Sequence, residues 1–216
     1  MNIAELQTAI GTTADGKWGP ASRAALRDKF TNKAAPAATP GQQQAFADRL
    51  GVTLRQLQAV AKVESSGAGF DAVGRPKILF ERHIFHGMTN GRYSPSSFSN
   101  PEGGGYGDDS WNKLLLAAGK VPDAAFSSCS WGKFQVLGKW WHDLGYTSAF
   151  ALAVSTVASE AAHYDLLCRY IERNGLRVQM TALSDDPDDC RAFAKAYNGP
   201  NYVRFDYHGK LARAMK

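Results

Sequence analysis

Apolar positions recur along this chain mostly at three-and-four spacing, the pattern of helices with one buried face. Leu54, Leu57, Val60, Ala61 and Glu64 lie on one such face. Thr53 followed by Gln56 has the spacing of a capping box that starts the helix, and Gly67 and Gly69 end it. The same pattern predicts a short helix through Ile3, Leu6, Gln7 and Ile10, stopped by Gly11. A second follows Pro20 from Ala21 to Phe30, and a third runs from Gln42 to Leu50 and closes at Gly51. Further on, Asp109 or Ser110 opens a helix to Ala118, and Pro122 to Ser128 forms a short one. Residues 148–173 are strongly helical, with Leu152, Val157, Tyr164, Leu167 and Ile171 inward and Asn174-Gly175 as the stop. Asp186 before Pro187 is an N-cap signal for a last long helix ending at Asn198-Gly199. Strand character is confined to Lys77–Phe80 and at most one other short stretch. The expected fold class is mainly α, an α+β arrangement with a minor β element.

Polar and turn-rich breaks divide the chain. Thr13 to Pro20 is a loop dense in turn residues. Thr31 to Pro40 is rich in Pro and Ala and reads as a linker. The expected organisation is a small helical module over 1–30, a linker over 31–40 and a main domain over 41–216. Residues 88–109 are polar and glycine-rich, a loop of a length that is usually functional or mobile. No internal repeat is visible.

Composition narrows the class. The 216 residues are 44% hydrophobic and 21% charged, as in globular proteins that bury a core. A net charge of +5 and a pI near 9.1 suit a polyanionic partner: nucleic acid, an anionic membrane or an anionic cell wall. Lys and Arg are scattered, which argues against nucleic acid. Cys129, Cys168 and Cys190 form no CxxC pair, so buried free thiols are expected rather than a zinc knuckle or a disulfide framework. The N-terminus has neither the basic start nor the apolar run of a signal peptide, and no stretch reaches the roughly 18 apolar residues that span a bilayer. A soluble chain made in the cytoplasm, without stable membrane insertion, is the expectation. His83 and His86 lack a third ligand and no HExxH occurs, so no metal is expected. Ser65 and Ser66 lack the glycine elbow of a serine nucleophile.

Glu64 carries the clearest chemical signal. It continues the buried face of its helix at the C-terminal end. A partly dry setting and the negative helix pole both disfavour its anion and raise its pKa, as a general acid near neutral pH requires. Glu64-Ser65-Ser66-Gly67, then Ser130-Trp131-Gly132-Lys133-Phe134-Gln135, then Ala196-Tyr197-Asn198-Gly199 follow in order. That order resembles the goose-type lysozyme and lytic transglycosylase clan. Gly74-Arg75-Pro76-Lys77-Ile78-Leu79-Phe80-Glu81-Arg82-His83 and Gly104-Gly105-Tyr106-Gly107 narrow the resemblance to the phage N-acetylmuramidase family of endolysins, over roughly residues 45 to 215. Leu6-Gln7, Asp15-Gly16-x-Trp18-Gly19-Pro20-x-Ser22 and Ala25-Leu26 resemble the peptidoglycan-binding repeat, with two of its three usual helices. The other reading of residues 1–30 is a helical hairpin that packs on the main domain.

The resemblance implies a lysozyme-like fold and cleavage of the β-1,4 bond between N-acetylmuramic acid and N-acetylglucosamine, with no cofactor and peptidoglycan as partner. Glu64 would protonate the glycosidic oxygen. Tyr197 and Asn198 would hold the sugar's acetamido group or position Glu64. Ser130, Gln135 and the backbone at Gly132 would line the cleft, with Trp131, Phe134 and Tyr106 as sugar platforms or as core. Asp15 and Trp18 would touch the wall. The second carboxylate is open: Glu81 is the first candidate, against a structural ion pair with Arg75 or Arg82. Asp71 and Asp108 follow, Asp109 reads as an N-cap, Glu160 as structural and the Asp185–Asp189 run as first-turn charge. Expected further is a monomer acting in the periplasm after holin-type release from the host cytoplasm. The alternatives are a lytic transglycosylase and a non-catalytic wall-binding or virion protein.

Overall fold

The computed structural model describes residues 1–65 and 67–216; the expectation for Ser66 lies outside the described residues. In chain order the elements are α1 (Ile3–Ala9), α2 (Pro20–Lys29), α3 (Pro40–Leu50), α4 (Leu54–Glu64), β1 (Ile78–Phe80), α5 (Arg82–Met88), α6 (Ser110–Ala118), α7 (Pro122–Ser127), β2 (Cys129–Trp131) and β3 (Val136–Leu137). They continue with α8 (Ala149–Ser155), α9 (Glu160–Arg173), α10 (Arg177–Thr181), α11 (Arg191–Asn198) and α12 (Tyr207–Ala214). The protein is mainly helical with a small sheet, as its periodicity predicts. It divides into two compact units, Met1–Ala35 with Phe70–Ala158, and Pro36–Gly69 with Ser159–Lys216.

The first unit is built on an antiparallel sheet of order β1-β2-β3, in which Leu79 pairs with Ser130 and Ser130 with Leu137. Trp131 on the central strand is 0% exposed. Its ring stacks on Phe30 at 5.5 Å and Phe126 at 6.1 Å, meets Trp111 edge-on at 6.1 Å, and its indole N–H donates to the Phe126 carbonyl at 3.1 Å. This corrects its expected role as a sugar platform: no face of the ring is open. Phe134 is buried in the same way.

Phe30, at the end of α2, shares this aromatic core, so the first 35 residues belong to the unit and do not form a module of their own. Trp18 shows the same thing. Its indole N–H donates to the Leu115 carbonyl at 2.7 Å, and its ring occupies the space where a side chain at Gly119 would stand. Asp15 is likewise engaged at home, accepting from Gln7 Nε2 and the Lys17 N–H at 2.9 Å each. The expected wall-binding pair therefore holds a loop and a helix contact. Trp18→Ala is expected to cost about 2–3 kcal/mol, less than a fully buried Trp would, and to lower the thermal midpoint.

In the second unit α4 starts as expected. Thr53 caps Gln56, and Gln56 Nε2 reaches on to the carbonyls of Thr181 and Leu183 at 2.8 and 3.0 Å. Leu57 and Val60 are fully buried, and α12 packs on this helix. α3 packs on α9, where Phe46 stacks on Tyr164 at 5.8 Å. Arg49 clamps Glu172 and Asp165, joining α3 to α9 at its exposed edge.

Several stretches differ from the expectation: the sheet has three strands rather than at most two, and α12 follows the helix expected to be last. The stretch 148–173 is two helices, not one. Thr156 turns its hydroxyl back to the Ala153 carbonyl at 2.7 Å, and Ser159 caps the next helix through Ala162. The last helix before Asn198 starts at Arg191, not at Asp186. Asp186 accepts from the Asp188 N–H at 2.9 Å and Ser184 donates to Asp189 at 2.6 Å, so these acids close turns instead of capping a helix. The predicted linker is tied down at both ends. Asn32 bonds Gly74 and Val157 in the first unit, while the Glu160 N–H meets Pro36 and its carboxylate meets Ala38 in the second.

Candidate active site

Glu64 is the last residue of α4, one turn beyond buried Val60 on the same face. It is half-buried, and Asn198 Nδ2 donates to its Oε1 at 2.9 Å. Asn198 ends α11 because Gly199 follows at φ +77°, a conformation that glycine adopts without strain. Tyr197 is fixed beside it, stacked on Phe193 and edge-on to Tyr170, both at 5.5 Å.

Burial pushes the Glu64 carboxyl up to about 7, against the opposing pull of the Asn198 donor and the Lys210 ammonium. The Tyr197 hydroxyl is pushed well above its usual range by burial, then by Glu64 and Tyr170. Burial and Glu64 raise Tyr207 as well. The group is a carboxyl that is half neutral near pH 7, with one amide donor and aromatic walls. It can give a proton to a basic oxygen and take one back.

Tyr207 and Lys210 also interact electrostatically with Glu64, and no sequence motif marks either. They stand one turn apart on α12, whose signal was present in the buried spacing of Leu211, Ala212 and Met215.

Asn198→Ala removes the donor that favours the ionised form of Glu64. It is expected to move the alkaline limb of the activity profile to higher pH and to lower kcat/KM about ten- to a hundredfold, measured across pH 5 to 9.

A second constellation belongs to the first unit. Glu81 follows β1 and precedes α5, and its N–H donates to the Ser128 carbonyl at 2.8 Å. Its Oε2 accepts from the Tyr106 hydroxyl at 3.1 Å and lies 3.5 Å from His83 Nδ1. The two arginines expected as rival partners are engaged by other groups, Arg75 by Asp71 and Arg82 by the Ser96 carbonyl. Tyr106 is 53% exposed, so its ring is open to a ligand. It rides on a glycine loop in which Gly103, Gly104 and Gly105 all have positive φ. The buried Lys113 anchors that loop by donating to the Gly105 carbonyl.

The remaining expected site residues are held by local structure. Ser130 is 8% exposed between its two neighbour strands. Gln135 sits at φ +51° and clips its own turn, donating to the Gly132 carbonyl at 2.8 Å. Asp71 closes a turn on Val73 and Arg75, and Asp109 caps α6 through Trp111. Among the described residues, no group of three His, Cys, Asp or Glu side chains could hold a metal ion, and no helix is long and apolar enough to cross a membrane.

Comparison with solved structures finds the crystal structure of Burkholderia AP3 phage endolysin, similar at a TM-score of 0.76 and 28% sequence identity. The similarity covers 99% of this chain and 92% of that one. Comparison with curated proteins gives no match. Residues 53–216, which include Glu64, Glu81 and Asn198, match the family described as N-acetylmuramidase, and the chain belongs to that family.

Proposed function

We propose that this chain is a phage endolysin that hydrolyses the β-1,4 bond between N-acetylmuramic acid and N-acetylglucosamine in peptidoglycan, with Glu64 as the general acid. The observation that carries this is the half-buried Glu64 carboxyl, pushed up to about 7 and bonded to Asn198. Below that pH the neutral acid can protonate the glycosidic oxygen, so that the leaving sugar departs as an alcohol while positive charge develops on the muramic ring. The Asn198 amide is then placed to stabilise the carboxylate that remains.

In this reading Glu81 supplies the second carboxylate, with Tyr106 and His83 fixing one of its oxygens. Tyr106 offers a ring face to a sugar, and Tyr197 stands beside Asn198 in the second unit. The enzyme acts as a monomer in the periplasm, after a separate holin releases it from the host cytoplasm. A basic surface favours the anionic wall.

A lytic transglycosylase is the second reading, favoured by the same carboxyl. A group titrating near 7 can protonate the leaving oxygen and then, as carboxylate, take the proton of the muramic C6 hydroxyl as that oxygen attacks C1. Digestion of peptidoglycan in ¹⁸O-labelled water, followed by mass spectrometry, separates the two. Labelled reducing ends are expected, and 1,6-anhydro ends would sink the hydrolase reading. Glu81→Gln run beside wild type tests the second carboxylate: undiminished hydrolysis would remove Glu81 from the mechanism.

A further inference from the structure

A groove of about 450 Å³ in the second unit is lined by Lys62 and Val63 from the end of α4 and by Lys210, Arg213 and Ala214 from α12. It begins two residues before Glu64 in the chain, and Lys210 is near enough for its ammonium to act on the Glu64 carboxyl. Lys62 and Lys210 are exposed at its walls. Arg213 is held by Asp206 at 2.7 Å, and Lys210 Nζ lies 5.2 Å over the Tyr207 ring. Asp206 and Glu64 are the acids beside these three cations. Val63 and Ala214 add small apolar patches between the charges.

We propose that this groove binds the carboxylates of the stem peptide carried by the muramic acid at the scissile bond. The proposal rests on the reading of Glu64 as the acid of a muramidase. Muramic acid differs from glucosamine by its lactyl ether, and the peptide hangs from that ether. A stem peptide linked through the side-chain carboxyl of a glutamate keeps that residue's α-carboxylate free, and it carries further carboxylates along its length. Spaced ammonium and guanidinium groups match spaced carboxylates, and the apolar patches match alanine methyl groups. The volume is that of a ligand of several residues, larger than a lactyl group needs. The groove thus reads the substituent that marks the muramic sugar, and orients the strand so that its glycosidic oxygen meets Glu64.

Binding to the Glu64→Gln protein tests this without turnover. Three disaccharide probes are titrated: N-acetylglucosaminyl-N-acetylmuramic acid with its tetrapeptide, the same disaccharide with a bare lactyl group, and diacetylchitobiose. The tetrapeptide form is expected to bind most tightly, with an affinity that falls as salt rises. Adding Lys62→Gln is expected to weaken that probe about fivefold and to leave diacetylchitobiose unchanged. Equal weakening of all three probes, or none, would overturn the proposal. So would an equal loss for the bare lactyl form, which would assign the groove to the lactyl carboxylate. Because binding alone is read, failure here is distinct from failure of Glu64 as the acid, which shows in the cleavage assay.

Discussion

Glu64→Gln is expected to lower kcat on peptidoglycan about a thousandfold, the scale on which a positioned general acid contributes. The substitution keeps shape and the Asn198 hydrogen bond while removing the proton. In the wild type, kcat/KM is expected to fall as pH rises through about 7, because the acid must be neutral to act. A variant that clears wall suspensions as fast as wild type would instead support a non-catalytic wall protein.

The same variant should be the more stable protein. The Glu64 carboxyl titrates near 7 folded and near 4.5 unfolded, so the folded state binds its proton more tightly. Below about pH 4 both states are protonated and the residue costs nothing. As pH rises from there, the unfolded chain ionises first and stability drains away. Above about 7 both states are ionised and the full penalty stands, about 2–3 kcal/mol after allowance for partial exposure. Denaturant melts are expected to show Glu64→Gln more stable than wild type at pH 8 and equal to it at pH 4. Equal stability at both values would mean that Glu64 is not desolvated.

Trp131→Ala is expected to cost about 3–5 kcal/mol, a large part of the stability of a domain this size. The cause is a cavity among Phe30, Phe126 and Trp111, together with the lost indole hydrogen bond to the Phe126 carbonyl. Trp131→Phe refills much of the ring volume and is expected to restore most of the midpoint and to leave KM for peptidoglycan unchanged. A raised KM with an unchanged melting curve would return Trp131 to the sugar site.

These outcomes separate two kinds of information. Capping boxes, glycine stops and buried faces are local, set by residues three or four apart. The positions of α4 and Glu64 were therefore legible in the chain, as were the cap at Asp109 and the motif order that matches the family. Local signals failed where several short-range options compete. Ser159 cuts 148–173 in two, and the Asp186–Asp189 run closes turns that a capping rule reads as a helix start.

Trp131 and Ser130 stand in a motif that the resemblance assigns to substrate, yet strand pairing and a shared aromatic core bury them. Spacing alone cannot separate a ring that faces solvent from one that faces Phe30, a hundred and one positions away. The position of Glu64 suggested an acid. Its protonation near pH 7 depends on burial and on Asn198, 134 positions later, and on Lys210 beyond that. A carboxyl group's charge is decided by the water it loses and the partners it meets, and both are assembled only when distant helices close around it.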